Sequence, residues 1–150
     1  MDDEKRTLSV LDVIGAYSAA LAAGEPERMA ALFADDYELD LVYRDAFASD
    51  ALSGEQPEAF WASWFASFPE MDYHVIRTVA AEKIVFTQWE FTGVNSGPLA
   101  PPIFDREIEP TGRTVRFRGV SVYEIEDGLI RQETTYIDLG TLLVELDIML

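Results

Sequence analysis

Residues 7–36 and one later segment repeat apolar residues at helical spacing. Residues 7–24 carry an apolar side chain every three or four positions and stop at a glycine, which predicts an amphipathic helix. Pro26 opens a second, shorter helix that we expect to end at residues 34–36, and Pro57 opens a third, PEAFWASWFASF, which ends before Pro69. The apolar positions of the first two helices are Leu8, Leu11, Ile14, Tyr17 or Ser18, Leu21, Met29, Leu32 and Phe33.

Five other segments alternate apolar and polar side chains with a period of two, which is typical of strands. They are residues 37–43, 73–80, 84–93, 114–125 and 129–137. The last two flank the turn signal Glu126-Asp127-Gly128, which predicts a β-hairpin. A Pro- and Gly-rich connection, NSGPLAPPIFDREIEPTG, should lie at the rim of the sheet. The pattern of residues 139–150 predicts either a short amphipathic helix or an extended tail.

This order of elements predicts a single α+β domain over residues 1–150, with helices packed on one face of a curved antiparallel sheet. Because side chains alternate between the two faces of a strand, the pattern also predicts which of them point towards the helices. The predicted inward rows are Val85, Thr87, Trp89 and Phe91 in one strand, and Val115, Phe117, Gly119, Ser121 and Tyr123 in the next.

Charge and composition narrow the range of functions. Carboxylates outnumber cations 28 to 11, for a formal net charge of −17, which argues against nucleic acid as a partner, because phosphates are bound by Lys and Arg. No apolar run approaches the roughly 18 residues of a membrane span, and the charged start MDDEKRTLS is unlike a secretory signal. One histidine and no cysteine argue against a metal site. We therefore expect a cytoplasmic protein without a nucleic-acid or membrane partner.

Three stretches resemble a known family. IGAYSAALAAGEPERMAALFADDYELD resembles the opening helices and first strand of the NTF2-like superfamily, while FTGVNSGPL and EPTGRTVRFRGVSVYEIEDGLIRQETTYID resemble the second half of its SnoaL-like polyketide cyclase branch. The resemblance implies a cone-shaped, curved antiparallel sheet that encloses a cavity with three helices. It also implies a small apolar, polyketide- or steroid-like ligand, no cofactor, and a homodimer that uses an outer sheet face with Phe86, Val120 and Val122.

The resemblance further implies where catalytic residues lie. Polyketide cyclases of this branch close a ring by an intramolecular aldol reaction and use a histidine and an aspartate on the last two strands. These positions fall on Ser121 and Thr135, and neither hydroxyl is a base at neutral pH. Ketosteroid isomerases, a second branch, use a tyrosine of the first helix and a base on the first strand. Tyr17 matches the tyrosine, and the base position falls at Leu41, next to Asp40.

Glu133 is a candidate that the residues themselves supply. It lies two positions before Thr135 on one strand face and should point inward, where burial among aromatic side chains raises the pKa of a carboxyl group. The alternatives are an ion pair with an arginine or a place at the rim. We expect His74 to face solvent or to make a structural hydrogen bond, and Asp138 to cap a terminal helix.

Two classes of function fit these residues. The first is a cofactor-independent cyclase, isomerase or dehydratase with Tyr17, Asp40 and Glu133 as catalytic residues. The second is a ligand-binding or accessory protein without catalysis, which the replacement of both cyclase positions favours. In either case, the residues expected to contact the ligand are Trp61, Trp64, Trp89, Phe117, Ser121, Tyr123 and Thr135.

Overall fold

A computed structural model describes residues 2–45, 47 and 50–149, with side chains from Val10 onward. Within these residues the helices are α1 (Asp2–Ala22), α2 (Pro26–Ala30), α3 (Gln56–Ser67) and α4 (Leu139–Leu146). The strands are β1 (Phe33–Val42), β2 (Leu52–Ser53), β3 (Glu70–Ala81), β4 (Ile84–Val94), β5 (Thr114–Glu126) and β6 (Leu129–Ile137). None of the helices described is both long and apolar enough to cross a bilayer.

The strands form one curved sheet in the order β2-β1-β6-β5-β4-β3. Strands β3 to β6 run as an antiparallel meander, in which each strand pairs with the next along the chain. The meander begins at the edge opposite β1, and its last strand, β6, returns to pair with β1 in parallel. The predicted α+β architecture is confirmed, with one parallel pair in an otherwise antiparallel sheet.

The second helix is shorter than its pattern predicts. It ends at Ala30, and Phe33 opens β1 instead of lying on a helical face. Pairing with β6 explains the difference. The Ile130 N–H donates to the Leu32 carbonyl, Phe33 pairs with Ile130, and the Phe33 ring stacks on Tyr37 with 3.7 Å between centroids. A strand from the other end of the chain therefore overrides the local helical spacing.

The C-terminal segment forms a helix, and its start is capped as expected. Asp138 Oδ1 accepts a hydrogen bond from the Thr141 N–H at 3.1 Å, and Oδ2 accepts one from the Thr141 hydroxyl at 2.7 Å. Leu142 and Leu146 are buried, and α4 packs against β5. The cap stabilises the helix because it satisfies one of the N–H groups that have no partner within the first turn.

Burial alternates along β4 and β5 as their patterns predict. The buried inner residues are Val85, Thr87, Trp89, Phe91, Val115, Phe117, Ser121 and Tyr123. Trp64 of α3 and Phe68, the residue after the helix, pack on Phe91 and Phe117, with ring centroids 4.8–6.0 Å apart across this cluster. Removing each such ring from water contributes about 1.5–3 kcal/mol, so the aromatic face of α3 fixes the helix on the sheet.

Gly119 is required where Trp89 crosses the neighbouring strand. The two residues are paired in the β4–β5 ladder, and a Cβ added to Gly119 would overlap the Trp89 ring. The missing side chain therefore lets the indole lie directly on β5.

Asn95 holds the long loop between β4 and β5 against the end of α3. It is fully buried, and its Nδ2 donates to the carbonyls of Ser67 and Gly97 at 3.3 and 2.9 Å. Its Oδ1 accepts from the backbone N–H and the hydroxyl of Thr111, both at 2.8 Å. The loop anchored in this way carries the buried side chain of Ile103, which lines the same cavity as residues of α1 and α3.

Candidate functional site

A narrow, apolar cavity opens between the helices and the inner face of the sheet. The space between its walls is about 430 Å³, which includes the open mouth. The lining residues are Leu21, Leu41, Phe60, Trp61, Trp64, Tyr73, Trp89, Phe91, Ile103, Phe117, Ser121, Glu133, Thr135 and Ile137.

Glu133 brings a buried carboxyl group to this cavity. Its side chain is 1% exposed, and no cation in the described part of the chain forms an ion pair with it. Three hydroxyl groups donate to it instead: Tyr17 to Oε1 at 2.5 Å, Tyr37 to Oε1 at 3.0 Å and Thr135 to Oε2 at 2.6 Å. Within the same described residues, no group of three or more His, Asp or Glu side chains is placed to hold a metal ion.

A directed chain of hydrogen bonds leads from β4 to this carboxyl group. The Trp89 Nε1–H donates to Ser121 Oγ at 2.9 Å, the Ser121 and Thr135 hydroxyl oxygens are 2.8 Å apart, and Thr135 donates to Glu133. The Ser121 oxygen accepts from the indole N–H, which can only donate. Thr135 gives its hydroxyl hydrogen to Glu133, so between Ser121 and Thr135 it is Ser121 that donates. The pairing of Ser121 with Thr135 in the β5–β6 ladder sets this spacing.

The surroundings of Glu133 act on its pKa in opposite directions. Burial raises the pKa of the carboxyl group, and the hydrogen bonds from Thr135, Tyr17 and Tyr37 lower it and offset part of that rise. Burial also raises the pKa of the Tyr17 and Tyr37 hydroxyls well above the ordinary value, and the nearby Glu133 carboxylate raises both further. The tyrosines therefore remain protonated donors, and Glu133 is the member of this group that exchanges a proton most readily.

Most of the predicted site residues lie on the cavity wall. These are Trp61, Trp64, Trp89, Phe117, Ser121, Glu133 and Thr135. Tyr17 is fully buried behind the wall and reaches the site through its hydrogen bond to Glu133. Tyr123 is also fully buried behind the wall, where its ring meets that of Tyr17 edge-on with 5.5 Å between centroids.

Asp40 does not join this group. It lies opposite Thr134 in the parallel β1–β6 pair, whereas Leu39 lies opposite Glu133. Neighbouring residues of a strand face opposite sides of the sheet, so Asp40 lies on the face away from the cavity. The structure therefore does not bring it to Tyr17 and Glu133. His74 is exposed on β3. Exposure to solvent is one of the two environments expected for it.

Tyr37 and Tyr73 belong to the site in addition to the residues predicted from the sequence. Tyr37 donates to Glu133, and Tyr73 lines the cavity. The signal for Tyr37 was present, because the period of two that turns Leu39 inward also turns Tyr37 inward. Ile103 comes from the long β4–β5 loop, which has no periodicity from which its position could be predicted.

The curved six-stranded sheet, the helices on its inner face and the cavity between them define the NTF2-like fold. A protein from Jannaschia sp. CCS1, provisionally described as a SnoaL-like polyketide cyclase, has a TM-score of 0.81 at 17% identity, over 97% of this chain and 96% of that one. IdmH from Streptomyces antibioticus, provisionally described as a polyketide cyclase, has a TM-score of 0.72 at 24% identity, over 93% and 99% of the two chains. An LEH-like epoxide hydrolase from M. tuberculosis has a TM-score of 0.65 at 16% identity, over 93% and 90%. These similarities establish the fold and not the reaction.

The sequence itself identifies the family. The SnoaL-like domain profile matches residues 14–133, which is most of the chain; the match includes α2, α3, β1 to β5 and the part of β6 up to Glu133. The protein therefore belongs to the SnoaL-like domain family, as its motifs predicted. No match is found among curated proteins.

Proposed function

We propose that this protein binds a small, largely apolar ligand in its cavity and transfers a proton on it without a cofactor, as a cyclase or isomerase does. The observation that carries the proposal is Glu133, a carboxyl group buried in an aromatic cavity, held by hydroxyl groups and unpaired with any cation of the described residues. A carboxyl group whose pKa is raised by burial is suited to general acid–base catalysis near neutral pH.

The hydrogen bonds indicate which oxygen of Glu133 exchanges the proton. A carboxylate accepts about four hydrogen bonds. Oε1 already accepts from Tyr17 and Tyr37, and Oε2 accepts from Thr135. Oε2 therefore keeps one acceptor position, and we assign it to the proton of the ligand. The two tyrosines are positioning residues in this scheme, because they hold the other oxygen and do not line the cavity.

The proposed reaction needs only this one group. Glu133 Oε2 removes a proton from a carbon next to a ligand carbonyl, and the C–H electron pair moves into an enolate. In an isomerisation the protonated Glu133 returns the proton to another carbon. In a ring closure the enolate carbon attacks a second carbonyl carbon, and the resulting alkoxide takes the proton from Glu133. In both cases Glu133 ends as a carboxylate, so no oxidant or reductant is consumed.

Deuterium exchange into a model ketone tests the proposal. We expect the wild-type protein to accelerate exchange of the protons next to the carbonyl of 2-tetralone in D₂O, measured by NMR. Glu133→Gln should slow this exchange about 10²- to 10⁴-fold. Glu124→Gln, at an exposed carboxylate on β5, is the matched control and should keep the wild-type rate. Equal rates in wild type and Glu133→Gln would contradict the assignment.

A non-catalytic ligand-binding or accessory protein is the second candidate. It is favoured by Ser121 and Thr135, which stand where the related cyclases keep their histidine and aspartate, and which here serve a hydrogen-bond chain. On this alternative the wild-type protein binds 2-tetralone but leaves its exchange rate at the background value. The same experiment therefore separates the two candidates.

We also propose that the protein forms a homodimer through the outer face of its sheet. Adjacent strands bring together four large apolar side chains there, and each is between 39% and 55% exposed: Val79, Phe86, Val120 and Tyr136. Exposed apolar patches of this kind mark association sites. We expect analytical ultracentrifugation to give a dimer for the wild type and a monomer for Val120→Glu. Val144→Glu, at a 78% exposed valine on α4, should remain dimeric, and a monomeric wild type would contradict the proposal.

A further inference from the structure

The indole N–H of Trp61 is a buried donor without an acceptor among the described residues. Trp61 lines the cavity and is 7% exposed, yet its Nε1 makes no hydrogen bond. Trp89 lines the same cavity, but its Nε1–H is held by Ser121. An indole N–H can only donate, so the Trp61 group needs an acceptor, and an acceptor could come from a ligand in the cavity that Trp61 lines. A buried donor left without a partner is costly, and native proteins keep few of them.

Trp61 packs on aromatic side chains and lines the cavity. Its ring meets Phe60 edge-on at 5.1 Å between centroids and stacks on Phe65 at 5.9 Å. The cavity-lining residues that the helices and the long loop contribute beside it are apolar or aromatic: Leu21, Phe60, Trp64 and Ile103. The acidic and hydroxyl-bearing lining residues of β5 and β6 are Ser121, Glu133 and Thr135, and the hydrogen bonds between them are already formed.

We propose that the Trp61 N–H binds a carbonyl oxygen of the ligand, so that the cavity prefers ketones to hydrocarbons of the same shape. This inference rests on the proposed function and names its substrate class. Helix α3 would hold the carbonyl oxygen while Glu133 of β6 exchanges the proton on the neighbouring carbon. The negative charge of an enolate lies largely on that oxygen, so the same N–H also stabilises the product of proton removal.

Paired probes test the anchor. Dissociation constants are measured by calorimetry for 2-tetralone and for tetralin, which has the same ring system without the oxygen. The quantity compared is the ratio of the tetralin constant to the tetralone constant. We expect Trp61→Phe to lower this ratio about tenfold relative to the wild type, the worth of one hydrogen bond to a neutral acceptor. Val144→Ala, at a 78% exposed valine of α4 outside the cavity, is the control and should leave the ratio unchanged.

A measurement on proteins that keep Trp61 guards against a Trp61→Phe variant that does not fold. The chain has three tryptophans, so Trp64→Phe and Trp89→Phe identify the Trp61 indole N–H resonance by elimination. We expect this resonance to move downfield when 2-tetralone binds and not when tetralin binds. A ratio unchanged in Trp61→Phe, or a tetralone complex in which the resonance does not move, would overturn the anchor alone. Failure of both probes to bind the wild type would overturn the proposed function and the anchor together.

Discussion

Replacing Glu133 with glutamine should change how the stability of the protein depends on pH. Glutamine keeps the size of the side chain and an Oε1 that accepts from Tyr17 and Tyr37, but it cannot ionise. Burial raises the pKa of the Glu133 carboxyl group in the folded protein, and the three hydroxyl donors offset only part of that rise. The folded protein therefore retains a proton over a pH range in which the unfolded chain has lost it.

The sign and size of the effect follow from this difference in bound protons. An unfolded glutamate has a pKa of about 4.3. Between that value and the higher folded pKa, the folded state binds more protons, so the free energy of unfolding falls as pH rises. One group gives a slope of at most about 1.4 kcal/mol per pH unit. The loss ends once the pH exceeds the folded pKa. Glu133→Gln has no such loss, so its stability relative to the wild type should rise through the window and then level off.

Urea unfolding followed by tryptophan fluorescence measures this difference. Wild type and Glu133→Gln are compared at constant ionic strength from about pH 5 to about pH 9, which begins just above the unfolded pKa of glutamate. Glu124→Gln, at an exposed residue of β5, changes the net charge of the protein by the same amount as Glu133→Gln. Its effect on stability therefore corrects for the general effect of net charge.

A stability difference between wild type and Glu133→Gln that stays constant with pH would refute this reasoning. It would mean that the carboxyl group titrates alike in the folded and unfolded states. A difference that changes in the opposite direction, so that the wild type gains relative stability as pH rises, would mean that the donors Tyr17, Tyr37 and Thr135 outweigh burial.

Three further substitutions probe the supports of the site. Tyr17→Phe removes a donor that lowers the pKa of Glu133, so urea unfolding should show a loss of about 1–3 kcal/mol. That loss should be larger at high pH than at low pH, and equal losses would contradict it. Asp138→Ala removes the cap of α4 and should cost about 1 kcal/mol in thermal unfolding. Hydrogen bonds hold the pKa of Asp138 below its usual value, so the cap contributes above the unfolded pKa and is lost as pH falls through the folded pKa. A cost that persists in acid would contradict this. Gly119→Ala places a methyl group in the Trp89 ring and should cost about 1–3 kcal/mol, with a shifted Trp89 indole resonance; an unshifted resonance would contradict it.

The candidate acid could be found from the sequence because strand geometry is local. The alternation in β6 turned Glu133 and Thr135 to one face, and the apolar row of β5 indicated that this face is buried. The same rule, applied to β1, turns Asp40 outward with Thr134. The prediction of Asp40 as a catalytic residue rested on its neighbour Leu41, where the base position of the ketosteroid isomerases falls. A shift of one residue in a strand moves a side chain to the other face.

The partners of the acid could not be found in this way. Tyr17 of α1 and Tyr37 of β1 meet Glu133 from positions 116 and 96 residues away in the chain, and no local period records such a distance. The early end of α2 has the same cause, because Phe33 pairs with Ile130 of β6 rather than continuing a helical turn. The unsatisfied N–H of Trp61 likewise depends on which side chains surround it.

For this protein, the sequence alone determined the order of the first three helices and the five longer strands, the inward faces of β4, β5 and β6, and the acidic character of the chain. These properties follow from backbone periods of 3.6 and 2 residues, which are set within a few positions. Only the tertiary structure decided that Glu133 is buried and receives three hydroxyl donors, that Asp40 lies outside the site, and that the Trp61 N–H has no acceptor among the described residues. Those outcomes depend on how distant elements pack, because a hydrogen bond forms or fails over a few tenths of an ångström.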